Sequence, residues 1–427
     1  MESLGRHILV EFFNCQPNIL NHVSKMEEAL VESAVKAGAT ILNSDFHHFA
    51  PQGVSGAVII QESHLTIHTW PEYGYAAADL FTCGGSVDPW VAFDYLKETL
   101  EADTYSVLEL QRGDLNLLTK KNIDFDSARK ERLKNAKSGL EQPNVWYTDK
   151  SDQLALSLRS AGPLLYDKTS RFQRTRIFDT HGFGRAMMID NMIMVTEKDE
   201  THYHEMITHP ALFAHGNAVN VLVIGGGDGG AIREVLRHPN VKKVTLVEID
   251  ENVIEASQLF LPQLSAAFND PRLKLQIMDG IEFVKTSSAD EFDVILIDGT
   301  DPVGPAKGLF SESFYRDCKK CLRPGGLLVA QGESPIYNKT VFVELNQCLK
   351  NVFGKPFVKT LLYHIPTYIS GIWSFQLASI NQVDFLAVDE EKISQFVSAH
   401  QLNYYNYQVH QAAFMLPNYV LKMLEEV

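Results

Sequence analysis

Cysteine is scarce. The chain has five, at positions 15, 83, 318, 321 and 348 of 427 residues. So odd and scattered a set excludes a disulfide framework and favours a reducing, cytoplasmic setting. Long apolar runs are also missing: no stretch approaches the roughly 18 consecutive apolar residues of a membrane-crossing helix. The opening MESLGRHILVEFFNC has no basic segment running into an apolar one, so no signal peptide is expected. Positive charge is in deficit, 38 Lys and Arg against 53 Asp and Glu, a formal net charge of −15. That balance argues against a general nucleic-acid binder, and no membrane partner is expected. With 45% hydrophobic and 21% charged residues the chain is too apolar to be disordered, and it is long enough for two or three domains with real cores. Cys318 and Cys321 form one CxxC in RDCKKCLRPGG, but near a helix end, and read as two half-buried thiols on a helix.

Residues 1–117 contain HILVEFF, GVSGAVIIQ, SHLTIHTW and YAAADLFTC, stretches that read as strands, the last two alternating with period 2. NHVSKMEEALVESAVKAGAT predicts an amphipathic helix ended by Gly38, and DPWVAFDYLKETLEA a second one capped by Asp88. The expected fold is an α/β sandwich, an antiparallel sheet with its helices on one face. Residues 118–142 are polar and rich in Lys and Arg, and read as a linker. From 143 to 200, short strands with turn signals such as DTHGFG predict a small β domain. From 201 to 427 the strands VNVLVIGG, KKVTLVEID, LKLQIMDG, FDVILIDG and GGLLVAQG alternate with helices, predicting a Rossmann-like, doubly wound domain.

The first of those strands runs into Gly225-Gly-Gly-Asp228-Gly-Gly230, which satisfies G-x-G-x-x-G at a helix start. Glu248 ends the next strand, where a carboxylate can take ribose hydroxyls. On this motif alone a nicotinamide dinucleotide and an S-adenosyl ligand are hard to separate. Asp228, inside the turn, would repel a pyrophosphate but accept an ammonium or face a sulfonium. Asp279 ends the third strand, where an adenine amino group could donate to it. The fourth ends in Asp298-Gly-Thr-Asp301-Pro-Val-Gly-Pro305, two carboxylates on a loop shaped by proline and glycine. Close carboxylates raise one another's pKa and suit holding a cation and accepting a proton. HEMITH departs from H-E-x-x-H by one residue, and His204 and His209 at i, i+5 do not share a helix face, so no metal is expected.

GGGDGGAIREVLRHPNVKKVTLVEID, DGIEF, DGTDPVGPA and IPTYISG resemble the polyamine aminopropyltransferases, spermidine synthase in particular, over roughly 145–427. The resemblance implies that decarboxylated S-adenosylmethionine lies against Gln173, Gly225, Glu248, Asp279, Gly280 and Pro305. It implies that Asp228 and His204 hold the aminopropyl and amine groups. Asp298, helped by Tyr203, would take a proton from the attacking amine, and Asp301 and Tyr368 would position the diamine, putrescine or a similar one. Three positions depart from the family pattern: Ile369 stands where Pro is usual, Ile336 where bacterial members have Trp, and Gly299 where Ser is usual. The first two lie near the acceptor, whose identity is left open.

In the first part, Ser63 and His68 on one alternating strand lack the G-x-S-x-G elbow and a third acid of a hydrolase. GVSGAVIIQESHLTIHTWPEYGYAAADLFTCGG instead resembles the bacterial S-adenosylmethionine decarboxylase proenzyme, over about 1–117. That resemblance implies self-cleavage between Glu62 and Ser63, leaving a pyruvoyl group on residue 63, with His68 and Ser55 assisting. The pyruvoyl ketone would form a Schiff base with S-adenosylmethionine and serve as the electron sink for decarboxylation. Cys83 would return a proton, Phe49 and Trp70 would sandwich the adenine, and Glu72 would take the ribose hydroxyls. Both families imply homo-oligomers, at least a dimer, and the decarboxylase type builds its site across a dimer interface. The leading expectation is a bifunctional enzyme of polyamine synthesis. The alternatives are a first half acting on ornithine or arginine, a half that only regulates the other, and, on the glycine motif alone, an NAD dehydrogenase.

Overall fold

The computed structural model describes residues 3–83, 87–114, 145–150, 154–302 and 304–425. The chain falls into two compact units, one ending at Gly139 and the other beginning at Leu140. The stretch expected as a linker, 118–142, lies outside the described residues. Among those described, no helix is long and apolar enough to cross a membrane.

The first unit is a six-stranded sheet in the order β2 (Ile41–His48), β3 (Val54–Ile60), β4 (Ser63–Trp70), β5 (Tyr75–Thr82), β1 (Ser3–Phe13), β6 (Thr104–Asp114), antiparallel at every pairing. Alternation does the sorting. Ile8, Val10 and Phe12 of β1, Leu65 and Ile67 of β4, and Ala76, Ala78 and Leu80 of β5 are buried in one core. Helices Val23–Lys36 and Pro89–Thr99 add Met26, Leu30, Phe93 and Leu96 to that core. Both helix boundaries follow from local chemistry. Gly38 takes the left-handed conformation (φ 88°) just past the first helix, and the Asp88 carboxylate accepts the Trp90 N–H at 3.1 Å at the start of the second. The other face carries His7, His64, Thr66, His68 and Asp79, with Leu9, Ile59, Trp70, Leu108 and Leu110 exposed among them. Strands β2 and β6 were not expected from the sequence. Both are sheet edges whose polar residues hide the alternation.

The second unit has two sheets. Strands β7 (Trp146–Lys150), β8 (Ala155–Thr169), β9 (Arg174–Thr180), β10 (Gly184–Ile189) and β11 (Met192–Thr196) form an antiparallel sheet in the order β11-β10-β9-β8-β7. The larger sheet has the order β14 (Leu273–Ile277), β13 (Lys243–Glu248), β12 (Asn220–Gly225), β15 (Phe292–Asp298), β16 (Leu322–Gln331), β18 (Ile372–Ser379), β17 (Val358–His364). Its first five strands are parallel, and all but the edge strand β14 are largely buried, as a sheet covered on both faces requires. The last two are an antiparallel pair that the reading of a simple alternating pattern left out. The strand order reverses between β12 and β15, so the crevice at their carboxyl ends is where a ligand enters such a sheet. The small sheet packs on that end, where Tyr166, Ile177 and Met187 share a core with Val253, Ala256 and Leu261. Cys318 and Cys321, on helix Glu312–Cys321, are both fully buried, more deeply than their half-buried reading.

Candidate active sites

The carboxyl edge of the large sheet opens into a cleft enclosing about 1540 Å³, its mouth included. The residues given binding or catalytic roles in the second unit line it, Pro305 apart, whose side chain lies outside the described residues: Gln173, Tyr203, His204, Gly225, Asp228, Glu248, Asp279, Gly280, Asp298, Asp301 and Tyr368; of the three departures, Gly299 and Ile369 line it and Ile336 does not. The glycine turn is shaped by contact. Gly225 has φ 78°, and a Cβ there would stand 2.1 Å from the Asp298 carbonyl oxygen. Gly226 N–H donates to that same oxygen at 2.9 Å, locking the β12 and β15 ends together. A Cβ at Gly230 would meet the His204 ring at 2.2 Å.

The polar groups divide into paired and unpaired ones. His204 has both ring nitrogens engaged, Nδ1 with Glu200 at 2.7 Å and Nε2 with Asp228 at 3.3 Å. Burial opposes a charge on it, but Asp228 and Glu200 together raise its pKa well above the ordinary value. It is therefore a cation that sets Asp228, with no lone pair turned to an amine. Arg233 closes the ring by donating twice to Glu200, at 2.8 and 2.9 Å. Tyr203 donates its hydroxyl to Asp298 Oδ1 at 2.7 Å. The other oxygen, Asp298 Oδ2, is buried and has no hydrogen-bond partner among the described residues. Burial, then Asp228, push the Asp298 carboxyl up. Burial, then Glu333 and Asp149, push Asp301 up as well. Burial lifts Glu248 to about 7, and its Oε1 accepts the Asp250 N–H at 2.9 Å. Asp279 accepts the Ile281 N–H at 2.8 Å as a helix cap while also lining the cleft. Tyr368 donates to the Met194 carbonyl at 2.6 Å, tying the C-terminal strands' loop to the small sheet.

Three residues here escaped the sequence reading. Glu200 was findable from its i, i+4 spacing to His204, and Glu333 from its place just past β16 at the same sheet edge. Asp149 reaches the cleft from β7 in WYTDK, with no local signal.

In the first unit the predicted residues form two groups at opposite ends of the β3–β4 hairpin. Ser63 opens β4 just after the two-residue turn Gln61–Glu62, with Ile60 paired to Ser63. The turn is held on three sides. Gln61 N–H donates to the Thr40 carbonyl at 2.8 Å, the Glu62 carboxylate accepts the Thr40 N–H at 3.2 Å, and Cys83 N–H donates to the Glu62 carbonyl at 3.2 Å. Cys83 itself is exposed. At the far end His68 and Ser55 face each other across β3 and β4 with Nδ1 and Oγ 2.6 Å apart. Trp70, Glu72 and Phe49 lie beyond them, with Glu72 bonded to Gln52 at 3.1 Å and both aromatic rings exposed. Five residues of extended strand separate Ser63 from His68, about 16 Å, so one protomer does not bring these groups together.

Three family models match the chain: "S-adenosylmethionine decarboxylase" over residues 6–113, "spermidine synthase tetramerisation domain" over 145–197 and "spermine/spermidine synthase domain" over 200–387. A polyamine aminopropyltransferase from Thermoanaerobacter sp. (strain X514) is 42% identical over 284 residues, 66% of this chain and 99% of that one. One from Methanocaldococcus jannaschii is 43% identical over 280 residues, 65% of this chain and 94% of the relative. Among solved structures, a spermidine synthase in complex with the transition-state analogue AdoDATO superposes with a TM-score of 0.64 at 38% identity, covering 68% of this chain and all of that one. Spermidine synthase from Thermotoga maritima gives 0.63 at 39% identity, with 69% and 99% covered. The chain thus belongs to the polyamine aminopropyltransferase family and carries, fused ahead of that part, an S-adenosylmethionine decarboxylase domain.

Proposed function

We propose that this chain makes polyamine in two successive steps, decarboxylating S-adenosylmethionine in its first unit and moving the product's aminopropyl group to a diamine, putrescine or one like it, in its second. The observation that carries the second step is the unpaired, buried Asp298 Oδ2 in a cleft lined by further carboxylates. Buried acceptors without partners are costly unless a ligand completes them. Here the ligand would be an amine.

The reaction is an in-line displacement. The amine lone pair attacks the carbon beside the sulfonium, the C–S bond breaks, methylthioadenosine leaves and the amine's extra proton passes to Asp298. Asp228, set by His204 and Glu200, holds the donor's own ammonium. Glu248 and Asp279 would take the ribose and adenine, with Gln173, Gly280 and Pro305 around them, while Asp301 and Tyr368 would fix the far end of the acceptor. The protein contributes alignment and proton acceptance.

In the first unit the residues fit a self-made pyruvoyl group. Ser63 sits next to a turn peptide held by hydrogen bonds, whose carbonyl already receives the Cys83 N–H, a donor placed where negative charge would develop. Once formed, the pyruvoyl group supplies an electron sink for loss of the carboxylate as carbon dioxide. Cys83, beside it, would return the proton. His68 with Ser55, Phe49 and Trp70 with Glu72 form the other half of the site, for processing and for binding adenosine. A second copy of the chain would supply that half, since an antiparallel two-fold sets one end of each hairpin against the other end of its partner. The match to a tetramerisation domain supports association, and the five unpaired cysteines suit a reducing cytoplasm.

On a denaturing gel and by intact mass, the mature protein should give a fragment of residues 1–62 and a blocked one beginning at 63. Ser63→Ala should stay whole, lose decarboxylation and keep aminopropyl transfer from supplied donor. A wild-type chain still uncleaved after long incubation contradicts the first step. Co-expressed Ser63→Ala and His68→Ala chains should regain part of the decarboxylation that neither has alone. No regain would show that the two halves meet within one protomer. Only ionised Asp298 can accept a proton, so transfer should fail as pH falls through its raised pKa, above the ~3.9 of an ordinary Asp. Asp298→Asn should lower kcat about 10²–10⁴-fold, and an unchanged kcat removes Asp298 as the base.

A further inference from the structure

Beside the scissile turn, on the sheet face away from the helices, lies a polar cluster that the roles given to Ser55, His68 and Cys83 leave unused. Asp79 on β5 stands between His7 on β1 and His64 on β4. Its Oδ1 is 3.0 Å from His7 Nε2 and 3.4 Å from His64 Nε2, and its Oδ2 accepts the Thr66 hydroxyl. Register explains the grouping. Both His7 and His64 pair with Phe81, and Asp79 is two residues along the same strand, so all three side chains rise on one face. The ligand atoms of His7, His64 and Asp79 lie within 4.8 Å of one another, a spacing that could also hold a cation.

The outward nitrogens decide between those uses. His7 Nδ1 faces Arg112 Nη1 at 3.4 Å, a group that can only donate, so His7 carries its hydrogen on Nε2 and gives it to Asp79. His64 likewise turns Nε2 to Asp79, which leaves Nδ1 as an acceptor. That nitrogen is 3.3 Å from Ser63 Oγ. Although burial raises it, Thr66, His7 and His64 hold the Asp79 carboxyl below its ordinary value, so it is an anion able to steady a charged imidazole. A hydroxyl, an imidazole and a carboxylate in this sequence make up the nucleophile–base–orienting acid chain of serine hydrolases, here assembled on neighbouring strands.

We infer that His64, oriented by Asp79, is the general base that activates Ser63 for self-cleavage. The inference rests on the self-processing reading above and names a different histidine from the same chain's His68, which is about 16 Å along the strand. His64 Nδ1 takes the Ser63 Oγ proton as Oγ bonds to the Glu62 carbonyl carbon. The carbonyl oxygen gathers charge against the Cys83 N–H. The carbon–nitrogen bond of the 62–63 peptide then breaks, and His64 returns the proton to the departing Ser63 nitrogen. An ester replaces the peptide, with nothing added or lost. His7 and Thr66 are positioning residues, acting through Asp79.

The test follows the chain break in freshly synthesised full-length protein, with and without hydroxylamine, which cuts an ester at 62–63 but not a peptide. His64→Ala should slow appearance of the 63–427 fragment about 10²–10⁴-fold, and hydroxylamine should not release it. His68→Ala should still be cut by hydroxylamine, because ester formation does not need it. Added imidazole should partly restore His64→Ala, an effect that a merely structural role would not give. Asp79→Asn should slow cleavage less than His64→Ala, and His64→Gln, which can accept a hydrogen bond but not a proton, should fail like His64→Ala. Cleavage of His64→Ala or His64→Gln at the wild-type rate overturns the inference while leaving self-processing intact. Failure of the wild-type chain to cleave overturns both.

Discussion

Two cations must be brought into contact in the second unit, a sulfonium donor and an amine that is ordinarily an ammonium, and they repel. That constraint accounts for most of what surrounds the cleft. Carboxylates end successive parallel strands at Asp298, Glu248 and Asp279, and one buried oxygen of Asp298 has no hydrogen-bond partner among the described residues. A core that paired every carboxylate with its own Arg or His would be neutral and would have nothing to offer an amine. The protein does pair some of them, Glu200 with Arg233 and His204, and those pairs fix Asp228 in place. Burial raises Asp298, Asp301 and Glu248, so that each is ready to lose its proton to solvent or to gain one from a substrate, as cation binding and chemistry demand.

The first unit meets a different constraint. Under the proposed self-processing a peptide bond is broken by its own neighbour, so the peptide must be held still and its carbonyl supplied with a donor. A two-residue hairpin turn fixed to Thr40 and Cys83 does both. The same hairpin carries Ser55, His68 and Trp70 at its far end. A strand rises about 3.3 Å per residue, and in the proposed reading that spacing divides the site in two and calls for a second copy.

Much of this was legible in the residues. Gly225, Asp228, Glu248, Asp279 and Asp298 follow directly from the rule that ligands meet a doubly wound sheet at its carboxyl edge, and they lie together as expected. Ser63, Cys83 and Glu62 meet because a short turn and strand register leave them no choice. What was not legible depends on tertiary contact. Asp149 comes from another sheet, and Glu333, with a left-handed backbone (φ 64°), is buried behind the cleft beside Asp301. For His204 the resemblance implies a place beside the amine groups, and only the fold shows that both its ring nitrogens face carboxylates. His64 adjoins Ser63 in sequence, yet its partner Asp79 becomes visible only through the pairing of β4 with β5. The polar edge strands β2 and β6 escaped for a related reason, since periodicity reports a buried face and edges bury little.

The product of the first unit is the donor of the second, so the fusion yields equal numbers of both sites without requiring that they face each other. The most direct measurement is therefore made on the whole processed chain given only S-adenosylmethionine and putrescine. Carbon dioxide, methylthioadenosine and spermidine should appear in equal final amounts, with omission of putrescine stopping the last two but not the first. Carbon dioxide with no methylthioadenosine or spermidine from any diamine, or no carbon dioxide at all, would contradict the account.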